Sequence, residues 1–199
     1  MLAFYLAQMK LDPGASVLHI APEKGLFDYF SSRWEISDYV VADFNPEQYA
    51  FTKCRSIDLC NLESWPSDQF DLIVHSHVLE HTTCNIAYTI YHLHRMLKRN
   101  GRHVFVVPFA SGKYEESFRT MSNAERTQRF GQWDHVRRFG CDDIDMHLGK
   151  IVRLPSAFDA TSFATVTELE QANIPKLSWT GINPSTVIDL AKNDYLLSR

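Results

Sequence analysis

No apolar run in the 199-residue sequence approaches the roughly 20 residues that a membrane-spanning helix needs. The opening stretch, MLAFYLAQMK, is apolar but lacks a basic n-region and a cleavage site, so it reads as neither anchor nor leader. Basic residues are not in excess either. Lys and Arg number 20 against 24 Asp and Glu, a net charge of −4, so no cationic field recruits nucleic acid. Glycine is scarce, with 8 in the whole chain and only Gly25 in the first loop. No G-x-G-x-x-G is present, which disfavours an NAD-dependent dehydrogenase. The four cysteines, Cys54, Cys60, Cys84 and Cys141, form no C-x-x-C pair, and their spacing predicts reduced thiols in a cytoplasmic protein. Repeats, low-complexity tracts and a second domain are also missing, which leaves one domain over 1–199.

What is present centres on Ser16 to Asp43. Val17 to Ile20 reads as a strand and Ala21 to Gly25 as a tight loop. Leu26, Phe27 and Phe30 recur at helical spacing, and Tyr39 to Ala42 reads as a second strand ending on Asp43. Strand, loop, helix, strand and acid is the unit that holds an adenine nucleoside at the carboxyl edge of a parallel sheet. Ahead of it, Leu2 to Met9 suggests a short helix stopped by Asp12-Pro13-Gly14. Further strands are expected at Cys54 to Leu59, Phe70 to His75, His103 to Val107, Ile151 to Leu154 and Thr186 to Leu190. Thr82 and Thr83 are candidate caps for a helix carrying Ile86, Ile90, Leu93 and Leu97 on one face, ended by Asn100-Gly101. The alternation predicts a parallel sheet with right-handed crossovers. Residues 110–140 are polar, charged and aromatic with few strand signals, as in a lid or substrate wall.

Several side chains carry candidate chemistry. In the first loop Glu23 suits a cationic ligand group better than a pyrophosphate. Asp43 suits a ribose, although a cap for Asn45-Pro46 has the same pattern. Asp58 either approaches an adenine amino group or caps a turn. In FDLIVHSHVLEH, His75, His77, Glu80, His81 and the later Cys84 invite a metal reading. A helical period follows at once, so the expectation is no metal, with His77 and His81 lining a cleft. In FGQWDHVRRFGCDD, His135 or His81 is a candidate base with Asp134 as its orienter. Arg137 and Arg138, with Tyr114, are candidate acceptor-binding groups, since a guanidinium forks onto carboxylate or phosphate. Arg119, Arg126 and Arg129 read as a solvated helix face beside Glu125.

Four blocks in order, VLHIAPEKG, VVADFNP, FDLIVHSHVLEHT and LHRMLKRNGRHVFVVPF, resemble a class I S-adenosylmethionine-dependent methyltransferase. The first-loop HxAPE and the block ERTQRFGQWDHVRRFGCDDID are similar to a bacterial subgroup of that family, over roughly residues 15 to 150. His19 stands where the broader family carries an acid, and Ala21 and Glu23 where it carries glycines. The resemblance implies an α/β fold: a doubly wound, mostly parallel, seven-strand Rossmann-like sheet with helices on both faces and the last strand antiparallel. It implies S-adenosylmethionine as cofactor, with contacts from His19, Ala21, Pro22, Glu23, Gly25, Asp43, Asp58, Leu59, His75 and His77. The expected reaction is methyl transfer to an O or N atom of a small molecule or glycan, with neither nucleic acid nor membrane as partner and the oligomeric state open. A catalytically silent methyltransferase-like binding module and a metalloenzyme using His75, His77 and His81 are the alternatives.

Overall fold

A computed structural model describes residues 1–197. Nine strands occur in chain order: β1 (Ala15–Ile20), β2 (Ile36–Asp43), β3 (Arg55–Ser56), β4 (Phe70–Ser76), β5 (Leu97–Val106), β6 (Phe109–Ala110), β7 (Glu115–Glu116), β8 (Arg137–Gly140) and β9 (Val187–Ala191). Five α-helices accompany them: α1 (Leu2–Gln8), α2 (Lys24–Ser31), α3 (Ile86–Met96), α4 (Asn123–Phe130) and α5 (Val166–Gln171). Among the described residues no helix is long and apolar enough to cross a membrane.

Six strands form the central sheet in the order β3-β2-β1-β4-β5-β9. β1 to β5 run parallel and β9 is antiparallel to β5. This is a doubly wound, mostly parallel α/β sheet. Side chains alternate across it, so each face has its own core. Val17, Leu72, Val74, Val104 and Val187 point to the face covered by α1, α2 and α5. Leu18, Ile20, Ile73, Phe105 and Ile188 point to the face covered by α3. On α3, Ile90, Leu93 and Met96 are fully buried. Each such side chain stabilises the docked helix by about 1.5–3 kcal/mol.

Several expectations shift. The cap of α3 is Asn85, whose side chain accepts from Ala87 N–H at 2.8 Å, because the helix starts at Ile86, beyond Thr82 and Thr83, and Thr82 donates to the Leu79 carbonyl. The helix ends at Met96, and β5 begins at Leu97 instead of His103. Asn100-Gly101 lies in the strand, where pairing skips from Phe70↔Leu97 to Leu72↔Arg102. A Cβ on Gly101 would stand 2.7 Å from the Phe70 carbonyl, so close backbone approach, not a helix stop, demands glycine there. The third strand shrinks to two residues. The strand expected at Ile151 to Leu154 reduces to a single bridge, Val152↔Tyr195, since that backbone bonds the turn at 194–196. The count is therefore six strands in place of seven. Residues 110–140 hold more regular structure than their composition suggests. β8 pairs with both β6 and β7 in a small second sheet, and α4 carries Arg126 and Arg129 of the arginines read as a helix face, while Arg119 precedes it.

Cysteine pairing also departs from expectation. Cys60 and Cys84, 24 residues apart, are disulfide-bonded with Cα atoms 5.6 Å apart, while Cys54 and Cys141 are free. Local spacing carries no sign of this pair, because the sheet brings the turn after β3 beside the segment before α3.

A polar chain crosses the α3 face. His75 Nε2 and His103 Nε2 are 2.9 Å apart, and His103 Nδ1 is 2.7 Å from the Tyr195 hydroxyl. Both rings are fully buried. Burial first, then the neighbouring imidazoles, pushes His75 down to about 3 and His103 well below its ordinary value. Both rings are therefore neutral in the fold and protonate first in the unfolded chain. Their contribution is whole above about pH 6.5 and is lost as pH falls towards the folded values, by up to about 1.4 kcal/mol per pH unit per ring. Urea titrations at pH 7, 5.5 and 4 should show a loss of stability that the double variant His75→Leu/His103→Leu flattens; parallel profiles would refute it.

Candidate functional site

The sheet's winding reverses between β1 and β4, so the chain leaving their carboxyl ends diverges and opens a crevice. Both strands end on a residue in the left-handed region that lacks the usual glycine. Ala21 follows β1 with φ +52°, and His77 follows β4 with φ +52°. Ala21 N–H bonds to the Ala42 carbonyl at 2.9 Å and His77 N–H to Val106 at 3.0 Å, which holds both in place. Backbone of this kind costs about 1–3 kcal/mol per residue and gathers at functional sites.

A cleft of 410 Å³ opens between these two residues. Ala21, Asp43, Asp58, Leu59, His77 and His81 line it as expected, joined by Ile20, Phe44, Ile57, Cys60, Thr82 and Thr83 among others. Asp43 accepts from Asn45 N–H at 2.7 Å and from the Tyr49 hydroxyl at 2.9 Å, so it shapes the turn while facing the cleft. Asp58 likewise accepts from Cys60 N–H at 2.9 Å and from the Asn61 amide. Phe44 is 67% exposed at this wall.

Other predicted cofactor contacts stand back from the lining. His19 is fully buried, with Nδ1 2.8 Å from the Tyr39 hydroxyl and Nε2 3.3 Å from Glu23. It positions Glu23. Burial alone would raise the Glu23 carboxyl, but bonds from His19, the backbone and Ser76 hold it below the ordinary carboxylate value. Pro22 is buried, and Gly25 sits in the first turn of α2 with open space where a Cβ would point. His75 turns into the α3 face, away from His77, because the strand alternates there and ends at Ser76. The grouping of His75, His77 and His81 does not form.

A second cavity of 440 Å³ adjoins the first and shares His77 and His81 with it. Its wall includes Glu80, Phe109, Phe130, His135, Arg137 and Arg138. The three groups expected to do acid-base work meet here. The His81 and His135 rings lie 4.8 Å apart, edge to face, and His81 Nδ1 is 3.4 Å from the Asp134 carboxylate. His135 Nδ1 lies 3.2 Å from the Phe130 carbonyl. Burial pushes this imidazole below its ordinary value, against the pull of Glu80 and Asp134, so it is neutral at pH 7.

The proposed acceptor-binding trio separates. Arg138 lines the cavity and its buried Nε has no hydrogen-bond partner. Tyr114 stacks on His147 at 4.4 Å and donates to Glu116 at 2.9 Å, outside the lining. Arg137 is fully buried and spends its fork on the protein: the Leu79 carbonyl, the Thr82 hydroxyl, the Cys84 carbonyl at 2.7 Å and the Glu116 carboxylate at 3.1 Å. It is a clamp between β8 and the turn after β4. Arg126 also departs from a purely solvated role, donating to the His135 carbonyl at 3.1 Å.

Sequence reasoning weighed Glu80 only as a metal ligand and left it out of the site. Glu80 is fully buried in a tight turn, and neither carboxylate oxygen has a hydrogen-bond partner. Its ionic neighbour is His77 Nδ1, 3.3 Å from Oε1, and the carboxylate holds that imidazole above its ordinary value. The two-residue E-H pattern gave no sign that the acid faces inward while His81 faces the cleft.

A reversed, mostly parallel sheet with a crevice at its switch point defines a doubly wound, Rossmann-like α/β architecture. The family profile described as a methyltransferase domain matches residues 2–148, and the chain belongs to that family. Solved structures agree in fold. An S-adenosylmethionine-dependent methyltransferase from Mesorhizobium loti is similar at a TM-score of 0.56 and 15% identity, covering 94% of each chain. One from Archaeoglobus fulgidus has a TM-score of 0.54 at 16% identity, covering 94% of this chain and 89% of that one. The YcgJ protein of Bacillus subtilis has a TM-score of 0.53 at 14% identity, over 88% and 78%. A comparison with curated proteins found no match.

Two substitutions test this geometry. Ala21→Gly should raise stability by about 0.5–1 kcal/mol, because relief of the left-handed alanine outweighs glycine's greater entropy when unfolded. A loss in urea denaturation would show that Ala21 is unstrained. Arg137→Lys cannot reproduce the fork and should cost about 3 kcal/mol. Limited proteolysis should then cut first within 110–140; an unchanged digest would remove the clamp.

Proposed function

We propose that this chain transfers a methyl group from S-adenosylmethionine to an oxygen or nitrogen nucleophile of a small molecule or glycan. The observation that carries the reading is the junction of two cavities at His77 and His81, at the switch point of the sheet. The first cleft has the mixture a nucleoside needs. Asp43 has lone pairs left for ribose hydroxyls, and Asp58, which lines the same cleft, would serve an adenine amino group. Ile20, Ile57 and Leu59 supply apolar walls, and Phe44 offers an exposed ring face for a base. Glu23, held ionised by His19, offers an anion to an ammonium group.

The bound cofactor supplies a methyl group already activated on a sulfonium, so the protein's task is alignment. The second cavity would hold the acceptor, with Arg138 available to an anionic or hydroxyl-rich one. The neutral imidazole of His135 can take the acceptor's proton, and His81, oriented by Asp134, is the second candidate base. Phe130, His135 and Arg138, from the region expected to form a substrate wall, line this cavity.

Calorimetric titration with S-adenosylmethionine and S-adenosylhomocysteine tests the reading. Micromolar affinity, about −8 kcal/mol, is expected. Asp43→Asn should weaken it at least tenfold, whereas Tyr49→Phe, which removes only the turn's hydroxyl contact, should not. No binding by folded wild-type protein would overturn the assignment.

A further inference from the structure

Glu80 raises a question that methyl transfer alone does not answer. A fully buried carboxylate without hydrogen-bond donors is costly, and buried charges are normally paired or bound to metal. His77 reaches only one of its oxygens, at 3.3 Å. On the cavity side it meets His81 and His135, and one ligating atom from each of the three residues lies within 4.8 Å of the others. Two separate segments are locked together to achieve this, since Val136 N–H donates to the Glu80 carbonyl at 2.9 Å.

The imidazoles are oriented as ligands. A carbonyl can only accept, so the 3.2 Å contact with Phe130 places the proton of neutral His135 on Nδ1 and leaves the Nε2 lone pair exposed. Asp134 does the same for His81 at 3.4 Å. Outer partners of this kind, a backbone carbonyl for one ring and a carboxylate for the other, fix the tautomer of metal-bound histidines.

We infer that Glu80, His81 and His135 form a binding site for one divalent transition-metal cation at the floor of the second cavity. Two nitrogens and one carboxylate suit zinc or a neighbouring first-row ion; magnesium and calcium prefer oxygen alone. As the side chains stand, the three ligating atoms lie within 4.8 Å of one another. Ligand bonds of about 2.0–2.2 Å need the three atoms roughly 3.3 Å apart, a closure that side-chain rotation supplies. Remaining coordination positions face the acceptor cavity. The chemical consequence, which rests on the methyl-transfer reading, narrows the acceptor to one with a hydroxyl oxygen. Coordinated there, the hydroxyl loses its proton to solvent, and the oxygen forms its bond to the methyl carbon as the carbon–sulfur bond breaks. His81 and His135 then act as ligands and not as bases.

The test uses the full chain, stripped with chelator and titrated with zinc chloride. Bound metal is counted by mass spectrometry after desalting, and affinity is read by competition with a chromophoric chelator. One zinc per chain is expected, with affinity falling at least 30-fold in Glu80→Gln and in His135→Gln and unchanged in the double variant Cys54→Ser/Cys141→Ser. Substoichiometric zinc in the wild type, or wild-type affinity in both site variants, would overturn the site. Circular dichroism checks that each variant is folded, and His135→Gln serves should Glu80→Gln not fold. Cofactor titration on the same samples separates the two readings. Cofactor binding without zinc removes the metal site alone, and zinc binding without cofactor removes methyl transfer alone.

Discussion

The structure depends on the reversal of winding between β1 and β4. Their register, His19↔Val74 and Ile20↔His75, places both strand ends at the same height, and the chain must leave them in opposite directions. No backbone crosses the gap at that level. Ala21 and His77, both left-handed, make the two exits, and both cavities open beside them. The position of the site therefore follows from topology before any side chain is considered.

A second constraint is the buried guanidinium of Arg137. It links β8 to the carbonyls and hydroxyl of residues 79–84, with Glu116 as its countercharge. The backbone bond from Val136 to Glu80 runs alongside. Between them, these contacts bring His135 against His81, although α3, β5, β6, β7 and α4 all lie between the two in the chain. The cost of burying one cation is offset by using its whole donor set, and the result is a rigid wall for the second cavity.

The legible parts of the sequence were those governed by short-range periodicity. The strands at Val17, Val40 and Phe70 and the helices at Leu26 and Ile86 appear where alternation and helical spacing put them. Asp43, Asp58 and His77 reach the cleft because they sit at or just past strand ends, a position that spacing reveals, and His81 reaches it from the turn after β4. His75 misled because period two continues only while the strand does. It belongs to the strand and turns inward, whereas His77 lies beyond it. The small sheet in 110–140 was invisible because its strands are two to four residues long, two of the three are charged, and their pairing comes from chain segments far apart.

By itself the sequence determined the class of fold, the order of its repeating elements and the chemistry available along it, because these depend on hydrophobic period and residue type. Tertiary structure decided which of those groups meet. It converted Arg137 from a substrate grip into a clamp and bonded Cys60 to Cys84. It also turned Glu80 inward beside His81 and His135. Each of these outcomes joins segments distant in the chain, and burial and electrostatic cost are properties of the space they share, which no local pattern encodes.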